Sequence, residues 1–384
     1  MKLCTNARPV AYGSIAAGVF ESVRKSEAKL VSAVKTDRTE KGQGQMKKVV
    51  LSVVAAVAVA AVAAPAFAAD MAVKAKPAPA PPPSPWDIAF GGGLMTDYIW
   101  RGVTQSGHNP SVTAFFEPRY NINSNWQLYA GVSGESIRFA NNAAAEIDFY
   151  GGVRPTFGPL ALDFGIWEYY YPGGTCWGNG PLQPPPGNGG SISCLTPQWA
   201  SGNVAKDDAS FYELYAKATY TMGDWAFGPT FFYSPNFLNT GADGEYLSGI
   251  VTYTAPSSMA LFNGAIGWYV SGEFGHQWFG TSDAFYGVPS AVGLVTGPFV
   301  NGIPEPDYNT WNVGLGFTWK VFTLDLRYSD TDLSKTECSA FTSDPGATVG
   351  HTPTSINPIG SESNWCGAAF VAKLTTSLTL GSLK

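Results

Sequence analysis

Catalysis needs reactive side chains within reach of one another, and this chain of 384 residues offers few. Its histidines are His108, His276 and His351, and no serine stands beside one of them in a recognisable motif. A nucleophile with its general base is therefore not written here, and we expect no enzyme. Gly91-Gly92-Gly93 lacks the Lys-Ser/Thr that follows in a phosphate-binding loop, and reads instead as a bend or close-packed site in a strand. No metal or cofactor is expected either. Cys176 and Cys194 are separated by 17 residues, Cys338 and Cys366 by 27, with no CxxC knuckle for zinc. An even set of four cysteines in an exported chain points to disulfides. Three pairings are open, and the two local ones, Cys176 with Cys194 and Cys338 with Cys366, are favoured.

What remains is charge at two-residue spacing. Glu117/Arg119, Glu146/Asp148 and Asp325/Arg327 put pairs of charges on one face of an extended chain, because successive strand side chains alternate sides. The opposite face is apolar in the same stretches. Trp311, Val313, Leu315, Phe317 and Trp319 alternate with Asn, Gly, Gly and Thr, and Phe322, Leu324, Leu326 and Tyr328 repeat the pattern. Fixed charges lining a lumen select passing ions; set opposite one another they pair and brace the wall. The candidate lining residues are Asp97, Arg101, Glu117, Arg119, Glu135, Glu146, Asp148, Arg154, Asp163, Glu213, Lys217, Asp325 and Arg327. Arg101, beside Gly102, is the first to test: a constriction charge, or a salt bridge to Asp97 or a neighbouring strand.

The elements that must carry these residues follow from composition and periodicity. Only 14% of residues are charged, against about 25% in soluble globular proteins. Mean hydropathy is -0.02, too polar for repeated apolar helices across lipid. Twelve segments alternate at period two: 87–101, 111–121, 126–138, 146–157, 160–171, 209–222, 225–234, 246–254, 260–271, 307–319, 322–330 and 364–374. Tight turns at 121–125, 158–159, 223–224, 255–258 and 320–321 alternate with long Gly/Pro/Ser/Asn-rich loops at 172–208, 272–306 and 331–363. This predicts an all-β fold, a closed antiparallel transmembrane β-barrel of about 12 strands with short periplasmic turns and long outer loops. A closed sheet leaves no backbone donor unpaired in lipid. A soluble sandwich would alternate too, but 50 of the 53 aromatics fall within 86–384, many at strand ends.

Ahead of the barrel domain, 86–384, the chain reads in three parts. Met46-Lys47-Lys48, an apolar run from Val49 to Ala64 and Ala66-Phe67-Ala68 form a secretory signal at 46–68. Residues 1–45 read as an over-extended N-terminus, and 69–85 as a proline-rich periplasmic linker. Charge divides the same way. Residues 86–384 carry 11 Lys and Arg against 24 Asp and Glu, net −13, whereas 1–85 are net +7. The barrel region therefore has no basic stripe for nucleic acid. Its outer loops, with thirteen acids against Lys206 and Lys335, should favour cations.

The opening Asp87-Ile-Ala-Phe-Gly-Gly-Gly-Leu-Met-Thr-Asp97-Tyr-Ile-Trp-Arg101-Gly-Val-Thr-Gln-Ser106 resembles the signature of the TorF-type porin family of bacterial outer-membrane proteins. So do Glu146-Ile-Asp148-Phe-Tyr-Gly-Gly152 and Leu162-Asp-Phe-Gly-Ile-Trp-Glu-Tyr-Tyr-Tyr-Pro-Gly173. The resemblance implies a porin-like channel for passive diffusion of small ions or solutes, with outer-membrane lipid, lipopolysaccharide and the barrel-assembly machinery as partners. The 174–206 loop reads as an insertion, and the chain ends at Lys384 rather than on a terminal aromatic. The competing expectation is a structural or adhesive barrel whose outer loops bind a ligand and whose lumen is closed.

Overall fold

The computed structural model describes residues 85–175, 177–178, 204–287, 301–348, 350–357 and 360–383. The leader, most of the proline-rich linker, Cys176 and Cys194 lie outside them. Twelve antiparallel strands close into one barrel: β1 Trp86–Met95, β2 Ser111–Asn121, β3 Trp126–Glu135, β4 Glu146–Phe157, β5 Leu160–Tyr170, β6 Phe211–Met222, β7 Trp225–Ser234, β8 Gly244–Thr254, β9 Gly267–Phe279, β10 Tyr308–Trp319, β11 Phe322–Thr331 and β12 Ala369–Thr379. Each pairs with its sequence neighbours, and β1 closes the ring against β12, with Ala89 opposite Thr379 and Met95 opposite Lys373.

Alternation sorts the side chains as it must when one face is buried and the other meets lipid. Leu94, Val112, Phe116, Leu128, Val132, Phe149, Ile166, Leu247, Val251, Val313, Leu326 and Leu374 point out and are exposed. Around the short-turn rim aromatic side chains gather, and their rings touch: Trp86 with Tyr120, Trp126 with Phe157, Trp225 with Tyr253, and Trp319 with Phe322. That is the girdle expected where a barrel leaves hydrocarbon for headgroups. Inward faces use glycine to make room for rings. A Cβ at Gly131 would sit 2.3 Å from Tyr150, its register partner, and one at Gly316 would sit 2.0 Å from Tyr269. The Gly91 expectation is met in the same way, by Phe115 and the Thr376 carbonyl. Phe115, the break in the alternation of β2, is the inward ring that Gly91 accommodates.

Three strands depart most from the sequence reading, while the others shift by three residues or fewer at an end. The first strand ends at Met95, not at residue 101, because Asp97–Ser106 turns into the lumen as a short hairpin, Ile99–Trp100 with Val103–Thr104. The segment placed at 260–271 is β9, Gly267–Phe279. Leu261 bridges Ile266 around Asn263-Gly264, with Asn263 at φ +57° and Gly264 at +88°, so those apolar residues belong to a turn. The last strand is 369–379 instead of 364–374. Asn364, Trp365 and Cys366 belong to the preceding loop, and Thr375–Thr379 pair with β1. Long connections also occur at 136–145 and 235–243, and three acids counted with the outer loops lie on strands: Glu245 on β8, Asp330 on β11, and Glu273 on β9, where it accepts from Tyr246.

Candidate functional site

The site is a crossing of the lumen, built by the hairpin that follows β1. Its base is fixed by Asp97, which accepts hydrogen bonds from Thr104 Oγ1 (2.5 Å) and Ser106 Oγ (2.9 Å) and pairs with His108 Nδ1 (2.7 Å). Burial raises the Asp97 carboxyl, but hydrogen bonds from His108, Thr104 and Ser106 outweigh it and hold it below the usual range. The hydrogen bond to Asp97 raises His108 in turn. At the tip, Arg101 has φ +48° and Gly102 +80°, the two positive values of a two-residue primed turn. Glycine is required at the second place: a Cβ on Gly102 would lie 2.3 Å from Thr331 and 2.6 Å from Thr310 on the wall.

From that tip the Arg101 guanidinium reaches the wall across the barrel from β1. It donates from Nη1 to Glu213 Oε1 (2.9 Å) and Gln277 Oε1 (2.9 Å), and from Nη2 to Glu213 Oε2 (2.7 Å). Trp100, Tyr246 and Phe232 surround its carbon, with centroids at 4.1, 4.4 and 4.8 Å. Side-chain exposure is 4% for Arg101 and 0% for Glu213, so this is a buried, bidentate ion pair. The expected partner, Asp97 or an adjacent strand, is corrected. A hairpin can carry a side chain across the lumen, whereas a continuous strand 87–101 could not.

Above this clasp, toward the long loops, Trp100 stacks on Phe237, and Tyr169 on Phe211. Phe341 packs on Phe237, Phe279 and Tyr308. Phe341 is delivered by the helix Lys335–Thr342, capped by Ser334 and Glu337 and fixed by the Cys338–Cys366 disulfide. The local pairing expected for these two cysteines is thus present. A small cavity of about 90 Å³ between the loops is bordered by Trp100, Lys206, Tyr286, Glu305 and Phe341. Glu305 is buried with Oε2 unpartnered among the described residues, and burial pushes it up to about 8.

Most of the other predicted charges do face inward, but in separate groups. Glu146, on β4, accepts from Tyr98 (2.5 Å) and Tyr171 (2.8 Å). Its carboxylate, with those of Glu135 and Asp148, offers oxygens within 4.8 Å of one another, close enough to share a cation. Nearer the short turns, Arg154 bridges Glu117 (2.8 Å) and Asp163 (3.1 Å), and Arg119 pairs with Glu117. Across the lumen Arg327 holds Asp325 (2.9 Å), Asn312 and Ser271. Lys217 lies over the rings of Tyr215 and Phe232. Below, an open cavity of about 380 Å³ is bordered by Asn121, Gln127, Arg154, Asp163, Lys217 and Thr219. Asp97 differs from the rest of the predicted set, since it anchors the hairpin instead of lining the wall. Sequence reasoning missed Gln277 and the aromatic layer. Asn263-Gly264, a strong hairpin signal, would have shifted the strand and put Gln277 on its inward face.

Fold and site together define a porin-like β-barrel with a hairpin folded across its lumen. The profile of a bacterial family described as being of unknown function (Gcw_chp) matches residues 79–183, the stretch that carries most of the quoted motifs. That family has no stated function, so the TorF-type resemblance rests on the quoted residues alone. No curated protein matches. Among solved structures, a COG4313 outer membrane channel from Pseudomonas putida F1 is 9% identical, over 80% of this chain and 100% of that one, with a TM-score of 0.38. The NanC porin is 10% identical over 76% and 100%, TM-score 0.33. OmpT, an outer membrane protein of Vibrio cholerae, is 12% identical over 77% and 98%, TM-score 0.30. At these values the architecture rests on the strand pairing, not on the likeness.

Proposed function

We propose that this barrel resides in the bacterial outer membrane, exported through cleavage of the leader at 46–68, and passes small ions or solutes with a modest preference for cations. The observation that carries the reading is that a hairpin crosses the lumen and is pinned to the far wall through Arg101, Glu213 and Gln277. Below that crossing lies a cavity of about 380 Å³ bordered by the polar and charged side chains of Gln127, Arg154, Asp163 and Lys217. Twelve strands lie between the roughly 8 that side chains fill and the roughly 16 that leave a clear channel. A closure added from inside is what turns such a barrel into a restricted passage. The predicted lining residues other than Asp97, which anchors the hairpin, supply the fixed charges, with Arg101 on the hairpin that crosses the lumen, and the net −13 of the barrel region concentrates cations at its mouths.

Single-channel recording of refolded protein tests this. Arg101→Ala is expected to raise conductance several-fold, and the wild-type reversal potential in a salt gradient is expected to favour potassium over chloride. Chloride selectivity would contradict the preference, and unchanged conductance in assembled Arg101→Ala would remove Arg101 from the passage. The aromatic layer of Trp100, Phe237, Phe279 and Phe341 favours a second reading, a sealed barrel whose outer loops bind a partner. Liposomes that fail to swell in small sugars or salts would favour that reading.

A further inference from the structure

The wall opposite β1 holds three acceptor oxygens and two rings aimed at a single point, and the chain fills that point with its own Arg101. We propose that Glu213, Gln277, Phe232 and Tyr246 form a binding site for solutes that carry a guanidinium, with Arg101 as a tethered occupant that such a solute displaces.

The wall groups are held in place without help from the hairpin. Gln277 donates both amide hydrogens to wall carbonyls, Glu245 O at 3.1 Å and Trp278 O at 3.2 Å, so its Oε1 must face the guanidinium. Glu213 Oε2 accepts from Tyr169 at 3.1 Å, and the Tyr246 hydroxyl donates to Glu273 at 3.0 Å. With Arg101 seated on them, Glu213 and Gln277 are both 0% exposed. A carboxylate so buried requires a cation. The paired oxygens of Glu213 and the flanking rings suit a flat, two-pronged guanidinium better than a compact ammonium.

The occupant is the exchangeable part. Arg101 belongs to a hairpin paired through two residues on each side, and it sits at φ +48°, a conformation that non-glycine residues rarely adopt. A free guanidinium could take up every wall contact while the hairpin relaxes. Trp100 would leave with the hairpin, uncovering the lumen at the same point, so occupancy by solute and opening would be one event. The inference deepens the channel reading, since a solute must reach the lumen, but binding can be measured without conduction.

Methylguanidinium, with N-methylurea as the neutral shape control, serves as the probe, and tryptophan fluorescence or calorimetry in detergent as the readout. Assembled Arg101→Ala is expected to bind it saturably, with an apparent Kd at least about tenfold below that of wild type, in which the tethered side chain keeps most molecules occupied. Methylammonium should bind more weakly and N-methylurea not at all. Arg101→Ala/Glu213→Gln, which removes both charges and leaves no uncompensated ion, should assemble and lose the binding. If Arg101→Ala folds poorly, refolding with methylguanidinium should recover its yield. The proposal is overturned by assembled Arg101→Ala that binds no methylguanidinium, by equal binding in the double variant, or by refolding that methylguanidinium does not rescue. A barrel that binds the probe but never conducts would refute the channel and keep the site. A conducting barrel that does not bind it would do the reverse.

Discussion

Arg101 and Glu213 are worth little as a sum of contacts and much as a constraint. Removing one partner of a buried pair leaves the other charge without compensation, so Glu213→Ala is expected to cost about 3–5 kcal/mol. The double variant Arg101→Ala/Glu213→Ala should cost much less than the two single losses together, since the two side chains act as one unit. Urea unfolding in detergent, followed by tryptophan fluorescence, measures both. Two loop groups give the closure a pH dependence of definite sign. The folded pKa of His108 is raised, so its contribution is complete below its unfolded value of about 6.5 and is lost as pH climbs through the folded value. Glu305 is also raised, to about 8, so burying it neutral becomes steadily less favourable from its unfolded range up to that pH. Both losses run the same way. Amide exchange of Val103 and Thr104 is expected to be faster at about pH 9 than at about pH 6 beyond the intrinsic base catalysis, and His108→Ala with Glu305→Gln should flatten the difference.

Among the elements, the loop 332–368 combines a capped helix with a disulfide that closes a ring of sequence separation 28. On the chain-entropy account such a ring is worth about 3 kcal/mol, and it acts on the loop rather than on the barrel. Cys338→Ser is therefore expected to expose 335–365 to protease and raise basal conductance while the strands still assemble. Glycine facing a ring is a device of the wall: Gly131→Ala would drive a methyl into Tyr150 and should cost about 1–3 kcal/mol, read as a lower urea midpoint. These elements were unequally legible. Strands β2, β4 and β7 stand where alternation placed them, because each runs from one turn signal to the next with a clean lipid face. The hairpin 97–106 was not legible. Its Tyr98 and Trp100 continue the outward parity of Trp86, Ile88, Phe90 and Leu94 in β1, and only the space inside a closed ring decides that they turn inward.

The whole molecule is held as a closed sheet with an apolar outside, an aromatic rim and charges gathered inside or on the loops. Low charge content and high aromatic content are consequences of that sorting, since the lipid-facing half of every strand excludes charge. Cation preference belongs to this scale: because it comes from a net −13 spread over mouth and lumen, raising salt from about 0.1 to 1 M is expected to weaken it as screening shortens to about 3 Å. By itself the sequence determined about twelve strands, their faces and the side with the long loops, and it favoured the local Cys338–Cys366 pair that the structure contains. Each of these depends on spacing along the chain or on a choice between lipid and water. Only the tertiary structure decided which charges meet. Arg101 finds Glu213 at a separation of 112 residues and Gln277 at 176, because ring closure sets β6 and β9 across the lumen, within reach of the hairpin that follows β1. A two-residue period records the face of a strand and carries no information about what stands across the lumen.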